Sequence, residues 1–217
     1  MAFYTDAQRR LQNQFDSRPL ADRLEETIVS PTVDDFHQAF IESRDFFFLS
    51  TVNGAGEPTV SYKGGSSGLV TVVDPTTLAF PLYDGNGMFL SAGNVMDTAK
   101  IGMLFIDFET PYRVRVQATA VVSEDDPLLE RYPGALTVVR ADVDTVFRNC
   151  ARYIHKHQRV SASPYVPDAE GHQPHPSWKQ IDQVQDALGE QDQQRTAEAG
   201  GQITVDEYAE RLFAGES

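Results

Sequence analysis

The chain of 217 residues carries 18 Lys and Arg against 32 Asp and Glu, a formal net charge of −14. This acid excess argues against a broad basic face for nucleic acid, but it leaves room for a small basic pocket that binds a phosphorylated ligand. The single cysteine, Cys150, excludes an internal disulfide, and we expect it to be a small core residue. The start has no signal-peptide pattern and no apolar run reaches about 18 residues, so we expect a soluble cytoplasmic protein.

Residues 1–44 are predicted to form helices that pack on the domain that follows. Thr5 and Asp6 suit the start of a first helix, and Pro19 suits the first turn of a second. A third is predicted around Phe36 and Phe40, which share one helical face. Helices this short are marginal alone, so they need a partner surface.

From residue 46 the pattern changes to short β-branched and aromatic runs separated by Gly, Asn and Pro. Such runs are typical of strands joined by turns. Six or seven short strands with frequent turns indicate a closed barrel or a sandwich. The predicted strands are 46–52, 59–63, 69–73, 78–81, 101–108, 112–122 and 136–143.

After Cys150 the composition changes again, but no second core is evident, so residues 151–217 are assigned to the same domain. Residues 161–177 hold four prolines and are predicted to form an extended arm. Residues 178–188 and 204–213 have helical spacing. The polar stretch 189–202 is expected to be mobile.

A first polar patch lies at the end of the second predicted strand. Ser61 and Lys63 are two residues apart on a strand, so their side chains point to the same face. Gly64 and Gly65 allow a ligand to approach the backbone closely. The patch could hold a phosphate. The alternative is a hairpin loop with a solvated lysine.

Two further polar patches are weaker indications of a ligand site. Asn86, Ser91 and Asn94 surround the start of a predicted short helix and could close around an anion or a polar ring edge; the alternative is a turn and a helix cap. Arg113 and Arg115 alternate with valines, which predicts one charged and one apolar strand face. The charged face is either solvated or a rim that faces a ligand or a partner subunit.

The remaining reactive residue types do not form a recognisable catalytic set. The four histidines of the C-terminal third have spacings found in metal sites, but no carboxylate or thiol stands at a matching distance. We therefore expect exposed histidines, no metal, and no serine nucleophile, and we assign no catalytic residue. The histidines are His155, His157, His172 and His175.

The order and spacing of several motifs resemble the FMN-binding split-barrel proteins of the pyridoxamine 5′-phosphate oxidase-like superfamily, in a branch of predicted flavin-nucleotide-binding proteins. The resemblance implies a mainly β fold with flanking helices, in which residues 45–150 form a six-stranded antiparallel split β-barrel. It also implies a homodimer with FMN at the subunit interface. The motifs are 47–52, 56–58, 61–65, 78–81, 85–86, 101–106 and 113–116.

The resemblance implies a set of cofactor-binding residues. Four residues are assigned to the FMN phosphate and ribityl chain: Ser61, Lys63, Ser91 and Asn94. Four more are assigned to the lining of the route to the isoalloxazine ring: Tyr62, Gly64, Gly65 and Asn86. The tryptophan covers the flavin. Arg115 joins the set from the charged strand face, which could lie at the subunit seam. The set is Ser61, Tyr62, Lys63, Gly64, Gly65, Asn86, Ser91, Asn94, Arg115 and Trp178.

Departures from the vitamin B6 oxidases narrow the expected function. Ser61 stands where those enzymes carry an arginine, and no Arg-x-His segment occurs in the chain. Pyridoxamine phosphate oxidation is therefore not expected. We expect an FMN-dependent oxidoreductase that acts on an unidentified small molecule. The alternatives are a non-catalytic flavin-binding protein for storage, sensing or electron shuttling, and a split-barrel protein that uses a deazaflavin or haem.

Overall fold

The structure is a computed structural model that describes residues 2–215. The chain divides into two units, Met1–Ser161 and Ala162–Ser217, which are described separately below. The assignment of residues 151–217 to the domain of the barrel stays a prediction.

Three helices precede the sheet, as the sequence predicts: α1 Asp6–Gln14, α2 Arg18–Ile28 and α3 Asp35–Glu42. A capping box formed by Thr5 and Gln8 begins α1. The side chain of Asp34 begins α3 by accepting the backbone N–H of His37 at 2.7 Å. Helices α1 and α2 bury no residue, whereas α3 buries His37 and Ile41 against the sheet.

Seven antiparallel strands form one sheet in the order β2-β1-β5-β6-β7-β4-β3. The fold class is confirmed. The sheet has the seven strands that the sequence pattern allows, one more than the six that the resemblance implies, and it does not close into a complete barrel because β2 and β3 are its free edges. Strand β3 has four residues and pairs only with β4, at one of these edges. At the other edge is β2. The strands are β1 Phe46–Val52, β2 Pro58–Gly64, β3 Thr71–Asp74, β4 Thr77–Tyr83, β5 Lys100–Asp107, β6 Tyr112–Ser123 and β7 Ala135–Asn149.

The core lies on one face of this sheet. In β1 the burial alternates, so that Phe47 and Leu49 are each 1% exposed while their neighbours are half-buried. Strand register aligns Phe47 with Lys63 and Phe48 with Tyr62 across the β1–β2 pair. Because side chains opposite each other point to the same face, Lys63 lies on the core face and Tyr62 on the outer face.

A helix, α4 Leu90–Thr98, crosses back over the sheet before β5 and contacts β1 and β6. The chain then runs through β5 and β6 into β7, which extends six residues beyond the predicted end at residue 143. Cys150 follows the last residue of β7 and is exposed, so its prediction as a core residue is wrong. The cause is its place where the chain leaves the sheet.

The second unit holds two short 3-10 helices, Ser177–Gln180 and Asp182–Ala187, followed by α5 Glu190–Glu198 and α6 Val205–Ala214. Helix α5 fills most of the stretch 189–202, for which the sequence predicted no helix, and the expected mobility of that stretch stays a prediction. Residues 162–176 form no helix or strand, in agreement with the predicted arm. Within residues 2–215, no helix combines the length and apolarity that a bilayer crossing requires.

Candidate functional site

The candidate site begins with Lys63 near the end of β2. Its side chain is half-buried on the core face, and no hydrogen bond or ion pair to it occurs within residues 2–215. Burial lowers the pKa of the Lys63 ammonium from its ordinary value, because a charge loses hydration when it leaves water. A half-buried ammonium without a protein counter-charge has lost hydration that no protein group replaces, so an anion beside it would be stabilised.

Ser61, two residues before Lys63 on the same face of β2, bonds to the start of α4 through Ser91. The Ser61 and Ser91 hydroxyl oxygens lie 3.0 Å apart and share a hydrogen bond, although the residues are 30 positions apart in the sequence. Ser91 lies in the first turn of α4, which has no side-chain cap and no acidic residue. The first N–H groups of a helix lack intrahelical partners and carry partial positive charge. Ser61, Ser91 and the start of α4 therefore present donors on the core face that Lys63 shares.

Asn94 fixes the position of α4 against the sheet. Its Nδ2 donates to the hydroxyl oxygens of Thr51 at 2.9 Å and Thr59 at 3.1 Å. One turn later the Thr98 hydroxyl donates to the carbonyl of Val52 at 2.7 Å. The amide nitrogen of Asn94 is thus engaged in anchoring the helix, and its assignment as a direct cofactor contact stays a prediction.

Backbone geometry at both ends of α4 is also unusual. Phe89 and Ala99, which flank the helix, have φ of 50° and 58° in the left-handed region. For residues other than glycine, such conformations cost on the order of 1–2 kcal/mol each. The bonds of Asn94 and Thr98 hold the helix start beside Ser61 despite that strain.

The glycine-rich loop after Lys63 offers fewer free backbone N–H donors to a ligand than the sequence suggests. The N–H of Gly65 donates to the Asp45 carbonyl at 2.8 Å, and that of Gly68 donates to the Glu42 carbonyl at 2.8 Å. These two donors are therefore engaged with protein. A Cβ at position 64 would lie 2.8 Å from the Tyr62 ring, so a glycine at that position leaves room for the ring.

Other residues of the predicted set lie elsewhere. Asn86 is in an exposed loop, where its side-chain oxygen accepts the Met88 N–H at 3.1 Å. Arg115 is exposed on the outer face of β6, three strand spacings or about 14 Å from β2. Trp178 belongs to the second unit, where it is half-buried. Within one chain, the described geometry does not bring Arg115 to Lys63. The cofactor roles of these three residues stay predictions.

The outer face carries a cleft of about 470 Å³ that the sequence reading missed. Its wall is formed by three near-parallel rings: Phe46 stacks on Tyr62 at 5.3 Å and on Phe108 at 5.8 Å between ring centroids. The available signal was the aromatic run 46–48 in β1 and the single aromatic residue of β2, Tyr62, which we interpreted only as strand pattern. Tyr62 is the single residue of the predicted set that lines this cleft.

The histidines occupy varied environments. His155, His157 and His172 are exposed as predicted, whereas His175 is half-buried and its Nε2 lies 2.9 Å from the Thr196 hydroxyl. His172 stands in an exposed turn in which the Asp168 carboxylate accepts backbone N–H groups. Its Nδ1 lies 3.4 Å from that carboxylate, and the side-chain ligand atoms of Asp168, Glu170 and His172 all lie within 4.8 Å of one another. The prediction that no carboxylate stands at a matching distance from these histidines is therefore wrong for His172.

The sheet order and the helix that crosses back before β5 define a split-barrel protein. The sequence model of the pyridoxamine 5′-phosphate oxidase family matches residues 33–150, more than half of the chain. The chain belongs to this family, and the resemblance stated from its motifs is confirmed. No curated protein matches the chain in sequence.

Solved structures with a similar fold include three bacterial proteins. A candidate pyridoxamine 5′-phosphate oxidase from Lactobacillus delbrueckii is 27% identical, with 54% of this chain and 95% of that chain covered and a TM-score of 0.43. An FMN-binding protein from Syntrophomonas wolfei is 10% identical, with 64% and 97% covered and a TM-score of 0.43. HutZ, the heme storage protein from Vibrio cholerae, is 18% identical, with 53% and 93% covered and a TM-score of 0.40.

Proposed function

We propose that this protein binds FMN through the anion site at Lys63 and acts as a flavin-dependent oxidoreductase on a small molecule. The observation that carries the proposal is the half-buried Lys63 ammonium, which has no protein partner within the described residues and shares its strand face with Ser61. A terminal phosphate would supply the counter-charge that the protein itself does not.

The donor set suits a phosphate monoester. The ammonium of Lys63 offers a charge, the Ser61 and Ser91 hydroxyls offer adaptable donors, and the uncapped start of α4 offers backbone N–H groups. No carboxylate stands in the first turn of α4 to repel the ligand. Membership in the pyridoxamine 5′-phosphate oxidase family makes FMN the phosphorylated ligand of choice.

When bound, FMN supplies hydride or electron transfer, and the protein supplies binding, orientation and electrostatics. In this arrangement Lys63 and the serines would hold the phosphate end, while Asn94 keeps the start of α4 in place. Pyridoxamine phosphate oxidation is not proposed, because the chain lacks the Arg-x-His segment of those enzymes. The substrate class is therefore left to assays with a panel of electron acceptors.

The test is a calorimetric titration of the purified apoprotein with FMN and, as the matched ligand, riboflavin, which lacks the phosphate. We expect FMN to bind at least about tenfold more tightly, because one charge-assisted hydrogen bond contributes roughly 1.5–3 kcal/mol. Equal affinities would contradict the phosphate site. An absorbance spectrum of the protein as purified separates the alternatives, since flavin bands support FMN and a Soret band supports haem.

The proposed assembly is a homodimer. Its support is an apolar surface around α4, the α4 patch, together with the open edge of the sheet at β2. The patch consists of Met88, Phe89, Leu90 and Met96, which are 62%, 57%, 52% and 75% exposed.

Light scattering at micromolar concentration is expected to give about twice the chain mass of 24.1 kDa. A glutamate in the patch, Met96→Glu, should shift the protein toward the monomer, because it would bury a charge in an apolar interface. Leu136→Glu, at an exposed position outside the patch, is the control. A wild-type monomer that still binds FMN would contradict the dimer.

A further inference from the structure

We propose that the outer-face cleft of the first unit is a second ligand site, separate from the phosphate site, for a planar aromatic molecule without negative charge. The cleft of about 470 Å³ lies within the range of small-molecule sites in proteins. The stack of Tyr62, Phe46 and Phe108 forms one wall.

The ring stack indicates the shape of the ligand. The planes of Phe46 and Tyr62 differ by 14° and those of Phe46 and Phe108 by 7°, so the three rings form a nearly parallel series. Tyr62 stands at one end and is 63% exposed, so much of its surface is open to a ligand. A flat ring system can continue such a series by offset stacking.

The polar rim indicates the charge of the ligand. Two arginines line the cleft, and both are already paired: Arg44 with Asp107 at 3.0 Å, and Arg159 with Asp45. Glu109 accepts only the backbone N–H of Arg159, at 3.4 Å, and forms no ion pair within residues 2–215. The cleft lining therefore holds two arginines against three carboxylates, an excess of one acidic group that disfavours an anionic ligand.

The position of Tyr62 separates this site from the phosphate site. Side chains alternate along β2, so Tyr62 faces the outer side of the sheet while Ser61 and Lys63 face the core side. A ligand in the cleft and a phosphate at Lys63 therefore approach different faces of the same strand. The inference stands on the cleft alone and does not depend on FMN binding.

The experiment uses two three-ring probes of matched size, the cation 9-aminoacridine and the anion 9-anthracenecarboxylate, titrated calorimetrically into the full chain at physiological salt. We expect saturable binding of one 9-aminoacridine per chain and at least about fivefold weaker binding of the anion. Tyr62→Leu, which keeps an apolar side chain but removes the ring, should weaken the cation about three- to tenfold, as expected for one lost stacking contact. Tyr62→Phe should retain the wild-type affinity.

One control variant and one further test variant complete the experiment. Val60→Ala changes an exposed apolar residue on the same strand face outside the cleft and should leave probe affinity unchanged. Glu109→Gln should weaken the cation by up to about fivefold, the range for one exposed charge pair. Binding that does not saturate, that is the same in Tyr62→Leu, or that is equal for the anion overturns the proposal. Displacement of the probe by FMN also overturns it, because the cleft would then be the flavin pocket.

Discussion

Replacing Lys63 by alanine is expected to weaken FMN binding about tenfold or more while leaving the fold intact. The variant removes the only ammonium of the proposed phosphate site, and a hydrogen bond to a charged group contributes roughly 1.5–3 kcal/mol. Because Lys63 has no protein partner among the described residues, its loss breaks no internal ion pair. Calorimetric titration of the apoprotein with FMN measures the change.

A pH series tests the charge itself. Burial lowers the pKa of Lys63 from 10.5, so the ammonium is lost earlier than in a solvated lysine as pH rises. FMN affinity should therefore fall in the wild type as pH rises toward the ordinary lysine range, beginning at a lower pH than for a solvated lysine, and stay nearly flat in Lys63→Ala. The matched control is Lys100→Ala, which removes an exposed lysine at the start of β5. An unchanged FMN affinity in Lys63→Ala would place the phosphate elsewhere.

Replacing Asp126 by asparagine is expected to destabilise the first unit by about 2 kcal/mol at neutral pH. The buried Asp126 carboxylate receives two hydrogen bonds from the Arg140 guanidinium, at 2.5 and 3.0 Å, and a third from the Leu128 N–H at 2.9 Å. The Arg140 hydrogen bonds, helped by that N–H, lower the pKa of Asp126 from 3.8 to about 2. Melting temperature should fall about 4–8 °C for a unit of this size.

The sign of the pH dependence follows from the direction of the shift. A carboxyl whose pKa is lower in the folded state stabilises the fold above its unfolded pKa, and this contribution is lost as pH falls from about 4 toward 2. The difference in melting temperature between wild type and Asp126→Asn should therefore shrink over that range. Asp125→Asn, an exposed neighbour in the same turn, is the control. An equal difference at pH 7 and pH 3 would show that the pair acts only through packing.

Most of the sheet could be predicted because its strands carry local signals. The β-branched and aromatic run ended by Asn53-Gly54 located β1, and the turn at Asp74-Pro75 located the start of β4 to within one residue. The end of β7 was missed because Asp142 and Asp144 stand on its exposed side and interrupt the apolar run. Helix α5 was missed because it has almost no apolar face, its one buried residue being Thr196.

The candidate site could be predicted only where strand alternation decides it. That rule placed Ser61 and Lys63 on one face, and the same rule places Tyr62 on the other, although the family resemblance grouped all three. The bond between Ser61 and Ser91 joins residues 30 positions apart and depends on how α4 packs, which no local pattern reveals. The occupied N–H groups of Gly65 and Gly68 likewise depend on the carbonyls of a distant segment.

Alternation along β2 also has an evolutionary consequence. Residues at odd positions of β2, such as 61 and 63, face the core side, whereas residues at even positions face outward. Side chains on the two faces pack against different neighbours, so position 62 is constrained by the outer-face rings and positions 61 and 63 by the core side and α4. A gene that varies at position 62 therefore changes the outer face first, and the residues beside it in the chain are constrained mainly by other contacts.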